Sequence, residues 1–207
     1  MGPPRSSEGA APYVPVGPPG YGINRLVAKR WRSSEIVTLP LQHGVDRIEA
    51  MGSDAIIIGS HGNDLGMTTI NLAATPVPTT TLVVETARES ESRTHGFLYH
   101  AESANEGLFG LPLVTSTSST ESASVLFVRN RHRALHAVGM LDASETTEED
   151  NCLVSCVDWY GNARAIFSGS RVFALMGYEL IEGRVESDGQ VTETTRLNFN
   201  PGARTSQ

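Results

Sequence analysis

Lysine is almost missing from this chain: Lys29 stands alone against 15 arginines. The imbalance reads as the coding bias of a GC-rich genome rather than as phosphate recognition. Cysteine is nearly as scarce, with only Cys152 and Cys156 in C-x3-C spacing. No second pair or nearby histidine completes a four-ligand zinc site, so no metal is expected there. On a strand the two side chains would face the same way about 13 Å apart, beyond disulfide reach. They stand either as buried free thiols or, where the chain turns between them, as a local disulfide. No run of about 18 apolar residues exists, which excludes a transmembrane α-helix, and Met1-Gly2-Pro3-Pro4-Arg5 lacks the apolar core of a secretory signal. The expectation is a cytoplasmic protein, or an extracytoplasmic one if the sequence is a fragment of an exported protein.

Strong catalytic motifs are missing as well. There is no G-x-S-x-G elbow, no Walker A loop and no G-x-G-x-x-G, and no carboxylate pair is fixed at glycosidase spacing. This favours binding or scaffolding over chemistry, with no cofactor. Charge is uneven: the net value is −7, yet residues 1–32 hold Arg5, Arg25, Lys29, Arg30 and Arg32 against Glu8. The acidic remainder has no basic patch interleaved with aromatics, which argues against nucleic acid and anionic lipid as ligands.

What is present is strand-like. Residues 1–32, rich in Pro and Gly, read as a disordered tail or linker, and residues 33–207 as the folded domain. Ile36-Val37-Thr38-Leu39, Asp46 to Met51, Ala55 to Gly59, Met67 to Leu72 and Thr80 to Glu85 have strand character, with turns at Gly52-Ser53 and Gly62-Asn63-Asp64. Asp188-Gly189 marks a hairpin between Ile181–Val185 and Val191–Phe199. No amphipathic helical period competes with these strands. A faint repeat links Asp54–Leu65 to Arg164–Leu175, with Ala, Ile, Gly, Ser and Leu in register, and weaker copies start near Gly96 and Ser124. Ala55, Gly96, Ser124 and Ala165 lie 41, 28 and 41 residues apart, and about 40 residues is one four-stranded propeller blade. The expected fold is all-β, a β-propeller or partial propeller of about four antiparallel units.

Polar clusters are few. His132 and His136 form H-x3-H without a third ligand and read as part of a solvated basic loop with Arg129, Arg131 and Arg133, facing the acidic run Glu145 to Asp150. His95, in Arg93-Thr94-His95-Gly96-Phe97-Leu98-Tyr99-His100, reads first as a structural histidine held by an aspartate or a hydroxyl. Asp158, before Trp159 and Tyr160, reads as a turn-tightening aspartate related to Asp46.

The stretches Arg93 to Tyr99, Gly110-Leu111-Pro112 and Cys156 to Arg164 resemble the C-terminal part of bacterial proteins bearing a β-propeller domain distantly related to WD40 repeats. The resemblance covers roughly residues 40–200 and implies a fold more than a reaction. It also implies a partial propeller that another chain or a further segment completes. The leading expectation is a non-catalytic module presenting loops to a protein or carbohydrate partner through His95, Tyr99, Asp158, Trp159 and Arg164. The alternative is a propeller-type hydrolase or lyase, divalent-metal dependent, which requires Asp46, Asp54, Asp64, Asp158 or His95 to converge.

Overall fold

The computed structural model describes residues 13–16 (backbone only), 25–31, 33–73, 75–116, 121–144 and 163–199. The chain is all-β, in four antiparallel sheets that follow one another along the sequence. The first sheet holds β1 (Tyr13–Val16), β2 (Arg25–Arg30) and β3 (Ile36–Pro40). The second holds β4 (Arg47–Met51), β5 (Asp54–His61), β6 (Asp64–Asn71) and β7 (Val77–Val84). In the third, β10 (Glu106–Ser116), β11 (Glu121–Arg131) and β12 (Ala134–Asp142) form a meander, and both β8 (Ala87–Glu89) and β9 (Leu98–Ala101) pair with β10. The fourth holds β13 (Arg164–Ser168), β14 (Arg171–Met176), β15 (Glu179–Val185) and β16 (Val191–Asn198). A single 3-10 turn, Thr94–Gly96, precedes β9. No helix among the described residues is long and apolar enough to cross a membrane.

Two-residue turns set most of the hairpins. Gly52-Ser53, Gly62-Asn63, Gly169-Ser170 and Gly177-Tyr178 each place a glycine with φ between +55° and +67° at the first turn position. That sign of φ matches the right-handed twist of the flanking strands and suits residues without a Cβ. His132-Arg133 makes the same kind of connection between β11 and β12 with two non-glycine residues at φ 50° and 73°.

Alternation along each strand then builds a stack. Ala55 and Ile57 join Leu26, Ala28 and Leu39 in a core between the first and second sheets. Ile56 and Ile58, on the opposite face of β5, meet Phe109, Leu111, Leu113, Leu126 and Val128 in the core between the second and third. Leu108, Val125 and Phe127 face Ala165, Val172, Ala174 and Ile181 between the third and fourth. The central strands are therefore apolar on both faces, which explains unbroken runs such as Ala55-Ile56-Ile57-Ile58. Close approach is required at Gly110, where a Cβ would lie 2.2 Å from the Cβ of Ala165. No core among the described residues joins the first sheet to the fourth, and no sheet closes on itself.

Three expectations need adjustment. Strand β2 lies inside the stretch assigned to a tail, because Leu26 and Ala28 are fully buried against the second sheet. The Asp54/Arg164 repeat pairs the second strand of one sheet with the first strand of another, so Gly59 lies within β5 whereas Gly169 lies in a turn. The spacing landmarks are likewise not equivalent, Gly96 falling in the 3-10 turn and Ser124 in β11. The two four-stranded sheets run over residues 47–84 and 164–198, close to the ~40 residues of one blade, whereas the third sheet has five strands over residues 87–142.

Candidate functional site

A cleft of about 560 Å³ opens at the margin between the second and third sheets. Its walls come from the β5–β6 turn and its flanks, the β7–β8 connection, and Ser92 and Ser116. The lining is rich in hydrogen-bonding groups: Asp46, Ser60, Asn63, Asp64, Arg88 and Ser116. Most are held by their neighbours. Ser60 N donates to Asp46 Oδ2 at 2.9 Å, and Thr86 N donates to Asp64 Oδ1 at 2.8 Å. Arg88 donates to Ser116 Oγ at 2.9 Å and to both Glu121 oxygens at 2.9 and 3.0 Å. Thr86 holds φ 49°, a left-handed conformation that a β-branched residue adopts only where its surroundings impose it.

Beneath the cleft lies a buried arginine. Arg47 opens β4 at 7% exposure. Its Nε donates to Glu89 Oε1 at 2.5 Å and its Nη1 to Glu49 Oε1 at 2.8 Å. Its Nη2 donates to the carbonyls of Glu91 and Arg93 at 2.7 and 3.0 Å. One guanidinium thus ties the second sheet to the loop that follows β8. Burial raises the Glu89 carboxyl above its ordinary value against the opposing pull of Arg47. Glu91, only 2% exposed, behaves oppositely: burial would raise it, but bonds from the Arg93 amide and guanidinium, with the His95 ring, hold it below the ordinary value.

Of the predicted site residues, His95, Tyr99 and Arg164 are described, and none lines the cleft. His95 donates through Nε2 to Glu91 Oε2 at 3.1 Å and so anchors the loop. Tyr99 packs against the core between the second and third sheets, its hydroxyl accepting a long bond from Asn130 Nδ2 at 3.4 Å, and burial raises its phenol. Arg164 lies across from Leu175 on the fourth sheet, with a buried Nε that has no partner. Asp158, Trp159, Cys152 and Cys156 lie outside the described residues. His95 and Tyr99 therefore support structure, and neither lines the cleft.

The organising role expected of a histidine held by a hydroxyl is filled by His43. Its ring, 1% exposed, donates through Nδ1 to Gly44 O at 2.7 Å and accepts at Nε2 from Thr68 Oγ1 at 2.7 Å, which in turn pairs with Thr81 Oγ1. Burial lowers its pKa, consistent with a neutral ring. The basic loop finds its partners at Glu102 for Arg129, Asp54 for Arg133 and Glu106 for His132. Glu145 to Asp150, expected to face it, lie outside the described residues.

Asp46, Asp64, Asp54 and His95 are engaged separately on Ser60, Thr86, Arg133 and Glu91. No cluster of three metal-ligating groups occurs among the described residues. The arrangement at the cleft can donate and accept hydrogen bonds, and nothing in it pairs a nucleophile with a base. Sequence reading missed Arg47, Thr86 and Arg88; an arginine opening an otherwise core-forming strand at Arg47-Ile48 was the available signal.

No family model matches the sequence, and no curated protein matches it. Among solved structures the chain is similar to a crystal structure from Bacteroides fragilis provisionally assigned as a 6-phosphogluconolactonase, with 8% identity over 84% of this chain and a TM-score of 0.29. The chain spans 64% of that protein's length, and a likeness at this level carries no argument about fold or activity.

Proposed function

We propose that this chain is a non-catalytic binding module of propeller-like architecture, its four sheets acting as successive blades, and that the cleft between the second and third sheets receives a carbohydrate. The single observation that carries the reading is the cleft wall. Ser60, Asn63, Asp46, Asp64, Arg88 and Ser116 surround about 560 Å³; Asp46 and Asp64 are fixed by the Ser60 and Thr86 amides, and Arg88 by Ser116. A volume of that order accepts a small ligand, whereas a protein partner of standard size needs roughly 800 Å² of surface from each side. Hydroxyls, an amide, carboxylates and a guanidinium are the complement of a polyhydroxylated ligand. Pre-organisation by the Arg47 clamp and by Thr86 lowers the ordering cost of binding.

The test is a screen of the purified chain against an array of immobilised oligosaccharides, run beside Asp64→Asn and Arg88→Ala. Wild type binds a subset of glycans, and each variant weakens that binding about 10-fold or more, in line with the loss of one charged hydrogen bond. Absence of any bound glycan, or unchanged binding by both variants, refutes the reading.

A further inference from the structure

Among the described residues, no core lies on the outer face of the first or of the fourth sheet. On the fourth sheet, Ala165, Val172, Ala174 and Ile181 point toward the third sheet. The opposite face carries Ile166, Phe173, Leu175, Leu180 and Leu197 beside the Arg171–Glu182 pair, with the Arg171 guanidinium 4.8 Å from the centre of the Phe173 ring. Ile166 lies directly across from Phe173, and Leu175, Leu180 and Leu197 form a continuous row across three strands. Ile166 is 37% exposed and Leu197 59%. Beside the row, the Tyr178 and Phe199 rings meet edge to face at 6.3 Å and are themselves exposed. Contiguous apolar faces of this kind on soluble domains mark interaction surfaces. At the other end of the stack, Leu26, Ala28 and Leu39 of the first sheet point inward, so its outer face carries Val27, Ile36 at 61% exposure and Pro40, with the stems of Arg25 and Lys29.

We infer that the fourth sheet of one copy stacks on the first sheet of a second copy, reciprocally, so that two chains cover all four unpartnered faces. The occupant follows from continuity. Within the chain each sheet is covered by the next in sequence, first on second, second on third, third on fourth, and the same packing carried one step further places a first sheet on the fourth. Area decides between one contact and two. The first sheet sets the limit: three strands about 4.8 Å apart and about five residues long at about 3.4 Å per residue give roughly 250 Å² of sheet plane. A single contact of that size is too small for a specific interface, and making it twice, with side-chain relief, brings the pair to the low end of the standard range. This inference is independent of the carbohydrate cleft, which lies at the other margin of the stack between the second and third sheets.

Sedimentation equilibrium and native mass spectrometry of the full chain from about 1 to 100 μM test it. The expected result is a monomer–dimer equilibrium with no larger species. Leu197→Ser and Ile36→Ser, on opposite faces, each shift the midpoint at least 10-fold toward monomer while the far-UV circular dichroism stays unchanged. A variant that loses its strand signal is set aside in favour of Phe173→Ser or Val27→Ser on the same face. Cross-linking mass spectrometry places residues 36–40 of one copy beside residues 164–180 of the other. A monomer throughout the range, a dimer indifferent to both faces, an open-ended series of oligomers, or cross-links joining two fourth sheets overturns the inference.

Discussion

Replacing Arg47 with methionine is the perturbation that bears most directly on how the second and third sheets are held together. The guanidinium is buried and makes four bonds, to Glu49, Glu89 and the carbonyls of Glu91 and Arg93. Methionine fills part of the volume but donates nothing. Two buried carbonyls lose their partner at about 1–3 kcal/mol each if left unsatisfied, and Glu89, with an 11% exposed side chain, loses its counter-charge. Breaking a buried pair from one side costs about 3–5 kcal/mol, and neutralisation of Glu89, already raised by burial, keeps the total near that range. Urea unfolding followed by far-UV circular dichroism measures it: the midpoint falls by about one to five molar at an m-value of about 1–3 kcal/mol/M. Adding Glu89→Gln to Arg47→Met restores part of the loss, because the uncompensated charge is gone. A loss below about 1 kcal/mol, or a double variant no more stable than the single one, refutes the clamp.

His43 makes stability depend on pH. Its folded pKa lies below the ordinary value of 6.5, so the contribution is complete above about pH 6.5 and is lost as pH falls through the lower folded value. Thermal melts of wild type lose stability over that window, and His43→Gln removes that part of the slope at a constant cost. Gly110→Ala forces a methyl against Ala165 and destabilises by about 1–3 kcal/mol, while Ala165→Gly in the same chain recovers most of it; failure of the rescue places the strain elsewhere. Arg133→Ala strands the carboxylate of Asp54, 3% exposed on its side chain, and lowers the unfolding midpoint by the equivalent of about 2–4 kcal/mol; Asp54→Asn added to it returns part of that stability.

The legible part of the chain was its strand content. Alternation and Gly-led turns located β4 to β7 and the Asp188-Gly189 hairpin to within three residues, because strand patterning and turn chemistry act locally. The β11–β12 turn was harder, since His132-Arg133 adopts φ > 0 without glycine, imposed in part by Asn130 Oδ1 accepting from Arg133 N at 3.0 Å. Repeat registers misled because Ala-Ile-x-x-Gly lies wholly within β5 but runs out of β13 into its turn at Gly169, so the same letters serve two different places in a sheet. The cleft was invisible for a different reason. Asp46, Thr86 with Arg88, and Ser116 come from three separate segments, and only the stacking of two sheets brings them together. His95 attracted attention through the density of polar residues around it, which the structure resolves into a local ion-pair loop on Glu91.

The most direct test of the binding reading is a two-dimensional amide NMR titration of the isotope-labelled chain with the strongest oligosaccharide from the array. The account predicts saturable shifts confined to residues 60–65, 86–89, 92 and 116, with the oligosaccharide recovered intact. Shifts centred elsewhere, such as the smaller recess between Arg129, Arg131 and residues 188–190, or conversion of the sugar during the titration, would contradict it.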